Sequence, residues 1–179
     1  MRFLIIAGLV VLSGVAAAAV PSQQALFVQT LSAKKNRYVT DGVFTGGKAG
    51  TGATVLGVRR TFSAKAQIER VIVDLGNKDG RADQAQVGYF QVSMDAGNSR
   101  VVLDLTQLKM AKVTEQQLKS VFKKSAYVSA AEFTLDPEDK TGSMVFRLKQ
   151  PMKLEVFQLR TSGKPARVVM DLTPLKAKR

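Results

Sequence analysis

Short apolar runs separated by polar turn sequences fill most of the chain after residue 53. Val, Ile, Leu and Phe dominate the runs, and Gly, Asp, Asn, Ser and Pro are concentrated between them. Runs of this kind are typical of β-strands. The pattern predicts eight strands, at residues 54–62, 70–75, 88–94, 100–105, 126–135, 144–148, 153–159 and 167–172.

The apolar spacing changes to that of a helix between the fourth and fifth predicted strands. Within residues 113–124, Leu118, Val121 and Phe122 fall on one helical face. Thr114 is suited to the N-cap position, and lysines gather at the C-terminal end, where they complement the helix dipole. One short helix is therefore predicted to connect two groups of four strands.

Two segments of the chain repeat each other without a gap. Residues 88–109 and 155–176 are identical at ten of 22 positions, at a constant offset of 67 residues. The offset pairs Phe90 with Phe157, and it extends through the strand that ends each segment. Repeated units of this kind usually bury a shared core where they meet, so the repeat indicates an internal duplication.

The strand pattern and the repeat together predict an all-β fold. We expect the strands to pair locally within each half, at residues 53–109 and 126–176, with the helix at 113–124 between the halves. The two four-stranded sheets would then pack face to face as a pseudo-symmetric β-sandwich. Strand alternation directs Leu105 and its repeat equivalent Leu172 to the core.

Residues 1–19 have the layout of a secretory signal peptide. A basic start at Arg2 precedes an apolar stretch at residues 3–12, and the alanines at 16–19 supply a cleavage site. We expect an exported, periplasmic domain, associated with the wall or the membrane, that spans no membrane after cleavage. An uncleaved membrane anchor is the alternative.

The segments that flank the predicted sandwich have other compositions. Residues 20–52 are predicted to be a lead-in, with a short helix or irregular segment at 23–35 and a glycine-rich linker at 41–52. Residues 176–179 form a basic tail after the sandwich domain at 53–175.

The charge balance restricts the partners. The chain has 27 Lys and Arg residues against 14 Asp and Glu residues, a net charge of +13. Such a field attracts polyanions, which include nucleic acid, phospholipid head groups and carboxylate-bearing wall polymers. Nucleic acid is disfavoured by export, and by the lack of an aromatic stacking platform, since only Tyr89 and Phe90 cluster.

The chain contains no histidine and no cysteine. Ser-His-Asp hydrolysis, histidine-ligated zinc and thiolate chemistry are therefore excluded. A carboxylate pair could still act as acid and base, but Asp74, Asp104 and Asp171 recur with the strand pattern, which suits a structural role better. We expect a non-catalytic protein with no cofactor and no metal.

Arginines recur on the predicted strands and are the candidate ligand-binding residues. A guanidinium group binds a carboxylate bidentately, so an exposed arginine row could bind a carboxylate-bearing polymer. The alternative is cross-strand pairing with aspartates, which would fix the strand register. For the arginines the two interpretations stay open. The candidates are Arg60, Arg70, Arg100, Arg147, Arg160 and Arg167.

The strand motifs resemble the AMIN domain, a module that precedes the catalytic domains of N-acetylmuramoyl-L-alanine amidases and occurs in pilus secretins. That family carries an R-V-V-x-D-L strand, a Y-x-V-F-x-L strand and a P-x-R-L-V-V-D-L strand, and the set appears twice. The matching segments lie at residues 69–75, 89–92 and 100–105, and again at 144–148, 154–159 and 165–172. The resemblance implies a sandwich of two similar four-stranded sheets.

The resemblance also implies periplasmic targeting through affinity for peptidoglycan. The sequence therefore predicts an exported, non-catalytic module that binds peptidoglycan. The alternative is a protein–protein adaptor for an envelope assembly, such as a pilus secretin or a cell-wall amidase system.

Overall fold

The structure is a computed structural model that describes residues 28–31, 34–50, 52–82 and 87–175. The predicted signal peptide at 1–19 and the basic tail at 176–179 lie outside the described residues. No helix in the described part of the chain is long and apolar enough to cross a membrane.

The described residues form mostly β-structure with one helix, which confirms the predicted all-β class. The eight predicted strands and the helix are all present, with ends that differ by a few residues. The elements are β1 (Val28–Leu31), β2 (Gly42–Gly46), β3 (Ala53–Ser63), β4 (Ile68–Asn77), β5 (Phe90–Asp95), β6 (Arg100–Leu105), β7 (Leu108–Ala111), α1 (Glu115–Phe122), β8 (Val128–Asp136), β9 (Thr141–Leu148), β10 (Met152–Leu159) and β11 (Ala166–Pro174).

The strands form two sheets. The six-stranded sheet has the order β1-β2-β5-β6-β9-β8, and the five-stranded sheet has the order β10-β11-β4-β3-β7. The prediction of four strands in each sheet is wrong, because β1 and β2 extend one sheet and β7 extends the other. These three additional strands are only four or five residues long.

Each sheet combines one hairpin from each half of the chain. β5 and β6 pair with β8 and β9 in the six-stranded sheet, whereas β3 and β4 pair with β10 and β11 in the other. The prediction that strands pair only within their own half is therefore wrong. At the two central junctions, Arg100 lies opposite Arg147 and Arg167 lies opposite Asp74. Hairpin formation is a local property, but the partner of each hairpin is set by long-range packing.

Residues that are equivalent by the 67-residue offset occupy equivalent positions in only part of the fold. Leu105 and Leu172 both enter the core, as the alternation predicts. Phe90, however, is a core residue, whereas Phe157 belongs to a separate outer cluster. The cause is the hairpin connection: four residues separate the last cross-strand pair of β5 and β6, Asp95 and Arg100, but seven separate that of β10 and β11, Leu159 and Arg167. The three additional residues shift β10 relative to its predicted equivalent.

The predicted glycine-rich linker contains a buried strand. β2 pairs with β5 in antiparallel register, and Phe44 is 1% exposed. The linker prediction at 41–52 is therefore wrong for this strand, because alternation around Phe44 outweighs the glycines that flank it. β1 pairs with β2 in parallel. The prediction of a helix within residues 23–35 is therefore wrong at Val28–Leu31. Residues 23–27 and 32–33 of that segment lie outside the described residues.

Helix α1 has the predicted cap. The Thr114 side chain accepts a hydrogen bond from the Gln117 amide at 3.2 Å, and Gln117 Oε1 accepts one from the Thr114 amide at 2.9 Å. This reciprocal pair satisfies two backbone donors that the helix leaves open. Leu118 and Phe122 join the core between the sheets, and Val121 packs against it. The helix thereby closes one side of the sandwich next to β8.

Candidate functional site

The outward-facing side chains of the six-stranded sheet form a mostly polar, solvent-accessible surface. Alternate residues of β5, β6 and β9 enter the core, and the residues between them are partly or fully exposed. We call this surface the arginine face. Its residues are Gln91, Ser93, Asp95, Arg100, Val102, Asp104, Glu132, Ser143, Val145 and Arg147.

Two of the predicted arginines meet at the arginine face. Arg100 and Arg147 are direct cross-strand partners on β6 and β9. Side chains at such positions have Cβ atoms about 4.5–5.5 Å apart, and like charges there destabilise a sheet. The two arginines therefore lie side by side at one end of β6 and β9, on a face that also carries Asp95, Asp104 and Glu132.

Each of the two arginines has an acidic partner on its outer side. Arg100 Nε lies 3.2 Å from Asp95 Oδ2, and Arg147 Nε lies 3.0 Å from Glu132 Oε1. The Arg100 side chain is 45% exposed and that of Arg147 is 56% exposed. The hydrogen bond from Arg147 lowers the pKa of Glu132. Both guanidinium groups are thus oriented by a carboxylate while they remain open to solvent.

Asp95 has a second function at the β5–β6 turn. Its carboxylate accepts hydrogen bonds from the Asn98 side chain at 2.7 Å and from the Asn98 amide at 3.0 Å. These two bonds, followed by the bond from Arg100, lower the pKa of Asp95. The turn therefore fixes the carboxylate that in turn positions Arg100.

Arg70 lies on the outer face of the five-stranded sheet, within an ionic cluster that consists of Lys34, Arg70, Glu155 and Asp171. It donates two hydrogen bonds to Asp171, at 2.6 and 2.7 Å. Lys34 Nζ lies 2.6 Å from the same carboxylate and 3.7 Å from Glu155. Burial acts to raise the pKa of Asp171, but the bonds from Arg70 and Lys34 outweigh burial and lower it.

The ionic cluster also holds the segment that precedes β2. The backbone amides of Lys35 and Arg37 donate to Glu155 at 2.8 and 3.2 Å. The Phe157 ring lies 5.5 Å from both the Lys34 ammonium and the Arg70 guanidinium group. The aspartate of the R-V-V-x-D-L motif in β11, Asp171, therefore has structural partners in Arg70 and Lys34.

Arg60 lies on β3 and has a structural role, because it connects this strand to the last turn of α1. Its Nε donates to the Val121 carbonyl at 2.8 Å, and its Nη1 donates to Glu69 at 3.1 Å. Glu69 is fully buried and also accepts bonds from Ser125 Oγ at 2.8 Å and the Tyr127 amide at 2.7 Å. This carboxylate ties β3, β4 and the start of β8 together.

The last two candidates belong to the five-stranded sheet and one of its loops. Arg167 is on the outer face of the five-stranded sheet, and its Nε lies 3.5 Å from the Pro165 carbonyl. Arg160 is exposed in the loop after β10 and borders a shallow depression beside Gly47 and Lys48. The structure thus brings Arg100 and Arg147 together, whereas the other four candidates lie on or beside the five-stranded sheet, with Arg70 and Arg167 on its outer face.

The sequence did not identify several charged residues that pair with the candidate residues or with the strand aspartates. Lys34 and Glu155 complete the ionic cluster, and Arg59 forms a bidentate pair with Asp74 at 2.8 and 3.2 Å. Glu132 orients Arg147 from a neighbouring strand. A cross-strand partner can be identified only once the register is known. The local pattern therefore carried no signal for these pairs.

Neither a cluster of metal-ligating side chains in the described ranges nor a match to a known protein family indicates what the site binds. Within the described ranges, no group of three or more His, Cys, Asp or Glu side chains is arranged to hold a metal ion. The chain matches no model of a known protein family, and no curated protein matches it.

Proposed function

We propose that the chain is an exported, non-catalytic module related to the AMIN domain, which binds peptidoglycan through its arginine face. The observation that carries this proposal is the direct opposition of Arg100 and Arg147 on an exposed sheet surface. Two arginines on neighbouring strands suit a ligand with repeated carboxylates, and the peptide stems of peptidoglycan carry such groups.

The energetics of the arginine pairs favour exchange with a ligand. Exposed ion pairs contribute about 0–1 kcal/mol each. A carboxylate of the polymer can therefore replace Asp95 or Glu132 at small cost, in a geometry that the sheet has already fixed. Each contact is weak, so affinity must come from several contacts on a repetitive polymer. The net charge of +13 adds long-range attraction.

Corresponding features in the two halves support the relation to a duplicated AMIN-like domain. The strand orders β5-β6-β9-β8 and β10-β11-β4-β3 correspond if each half is exchanged for the other. Register shifts also occur at matching places, between Val55 and Gly57 in β3 and between Val128 and Ala130 in β8. With the predicted signal peptide, these features support a periplasmic location and a targeting role.

Co-sedimentation with isolated sacculi tests the proposal. The wild-type chain should pellet with sacculi at low salt and dissociate as salt screens the contacts. The double variant Arg100→Gln/Arg147→Gln should bind about tenfold more weakly, equivalent to about 1.4 kcal/mol for the two contacts together. Circular dichroism and thermal unfolding should show an intact fold.

A matched control separates the arginine face from general charge attraction. Arg59 is also about half exposed and paired to a carboxylate, but it lies on the other sheet. Arg59→Gln should change sacculus binding by less than about twofold, as a distant surface charge does. Equal losses per charge removed at Arg59 and at the arginine face would reject this face as the site. Failure of the wild-type chain to pellet at low salt would reject the function itself.

A further inference from the structure

A groove between α1 and β8 lies beside the arginine face and shares Glu132 with it. It has a volume of about 650 Å³. Phe122, Val128 and Ala131 form the floor of the groove but are at most 4% exposed, Lys119 and Lys123 line the helical side, and Ser129 lies on the strand side. The groove therefore has a helical wall that carries two exposed lysines above a closed, buried floor.

β8 forms an open edge along this groove. Among the described residues, β8 has a neighbouring strand on one side only, since it ends the six-stranded sheet. An edge strand presents N–H and C=O groups that can pair with another extended chain. β8 is nine residues long, whereas the edge strands β1 and β7 have four residues each. The β10 edge is bridged by Val39, which exchanges two backbone hydrogen bonds with Leu154.

The charges around the groove favour an acidic occupant. Its acidic residues are engaged, because Glu115 pairs with Lys119 at 2.6 Å and Glu132 pairs with Arg147 at 3.0 Å. The exposed side chain of Lys123 forms no hydrogen bond or ion pair within the part of the chain that the structure describes. Lys149 adds a third positive charge on the rim. Lys123 therefore places a positive charge, without an acidic partner among the described residues, beside the open edge of β8.

We propose that this groove binds a short, extended, acidic peptide segment of a partner protein by strand addition to β8. The peptide backbone pairs with the β8 edge, as extended peptides do when they add to a sheet. Acidic side chains of the peptide face Lys119 and Lys123. This protein-binding site borders the proposed peptidoglycan site, because Glu132 lines the groove and also orients Arg147 on the arginine face, but the peptide test does not rely on peptidoglycan binding.

A fluorescein-labelled ten-residue peptide of alternating valine and glutamate is the probe. Its binding to the full chain should saturate in fluorescence anisotropy, and a valine–lysine peptide should bind at least about tenfold more weakly, because charge complementarity sets the specificity. A valine–glutamate peptide N-methylated at alternate backbone positions should also lose binding, since it cannot pair with a strand edge. Hydrogen exchange should slow at amides of Val128–Asp136.

Two neighbouring lysines give a matched pair of variants. Lys123→Glu should weaken binding of the acidic peptide at least about fivefold, because it reverses a charge inside the groove. Lys124→Glu makes the same change at the next residue, which is exposed but does not line the groove, and should weaken binding by less than about twofold. Both variants change exposed side chains, so their thermal unfolding should match that of the wild-type chain.

Each contrary result overturns the proposal. Equal weakening by the two lysine variants would reduce the binding to general charge attraction. Unsaturable binding, unchanged affinity of the N-methylated peptide, or protection outside β8 would reject strand addition at this edge. Concentration-dependent dimerisation with protection of the same amides would assign the groove to a second copy of this chain instead.

Discussion

The buried end of the ionic cluster gives the sharpest prediction about stability. Arg70→Ala removes two charge-assisted hydrogen bonds, of 2.6 and 2.7 Å, from a carboxylate whose side chain is fully buried. Lys34 remains at 2.6 Å, so Asp171 keeps one cation. We expect the free energy of unfolding to fall by about 2–3 kcal/mol, because the carboxylate loses part of the compensation for its burial.

The magnitude follows from the exposure of the two partners. Removal of one member of a fully buried ion pair costs about 3–5 kcal/mol. The Arg70 side chain is 36% exposed, so solvent screens part of the interaction, and Lys34 compensates part of the remainder. For a domain near 150 residues, about 1 kcal/mol corresponds to about 3–4 °C in Tm, so the expected decrease is about 6–12 °C.

Urea and thermal denaturation of single and double variants measure this effect. Arg100→Ala is the control, since it removes an exposed pair with Asp95 and should cost less than about 1 kcal/mol. A double-mutant cycle of Arg70→Ala with Asp171→Ala should give a coupling energy of at least about 1.5 kcal/mol. The reasoning is refuted if Arg70→Ala costs no more than Arg100→Ala, or if the two changes at Arg70 and Asp171 are additive.

Three further predictions follow from buried or strained positions. The lowered pKa of Asp171 means that its contribution to stability is complete above its unfolded value of about 3.9 and is lost as the pH falls through the folded value. Asp171→Asn should therefore flatten the acid limb of a stability–pH profile, and an unchanged slope would contradict this. Gly47→Ala places a Cβ 2.0 Å from the Gly88 carbonyl oxygen at a φ of +77°, whereas Gly50→Ala at +81° meets nothing within 4 Å. Urea unfolding should show the cost of Gly50→Ala at about 1–2 kcal/mol and that of Gly47→Ala clearly above it. Glu69→Ala should cost about 3–5 kcal/mol in the same assay, because it leaves Arg60 and two further donors without their acceptor, and a cost below about 1 kcal/mol would show that these bonds are dispensable.

Local patterns were sufficient to predict most elements. Alternation of apolar residues identified the eight long strands and placed Leu105 and Leu172 in the core. The cap at Thr114 was also readable, because capping depends on residues within one helical turn. β2 was missed because its flanking glycines mask the alternation around Phe44.

Long-range pairing was not predictable in the same way. The sequence repeat favoured equivalence of Phe90 and Phe157, but a hairpin loop that is three residues longer places them in different clusters. For the candidate site, the sequence identified the arginines but could not distinguish exposed binding residues from structural ones. Whether a guanidinium group is oriented on an open face, as at Arg147, or committed to a buried carboxylate, as at Arg70, depends on strands distant in sequence.

The interleaving of hairpins has a consequence for how the chain acquires its structure. β4 and β6 each occupy an interior position, and their second neighbours, β11 and β9, lie beyond α1 in the chain. A nascent or truncated chain that stops after α1 therefore leaves two hydrophobic strands with bare hydrogen-bonding edges. Because each half leaves strand edges that only the other half fills, we expect folding to be completed only after the C-terminal strands are present, and unfolding to be a single cooperative event without a half-structured state.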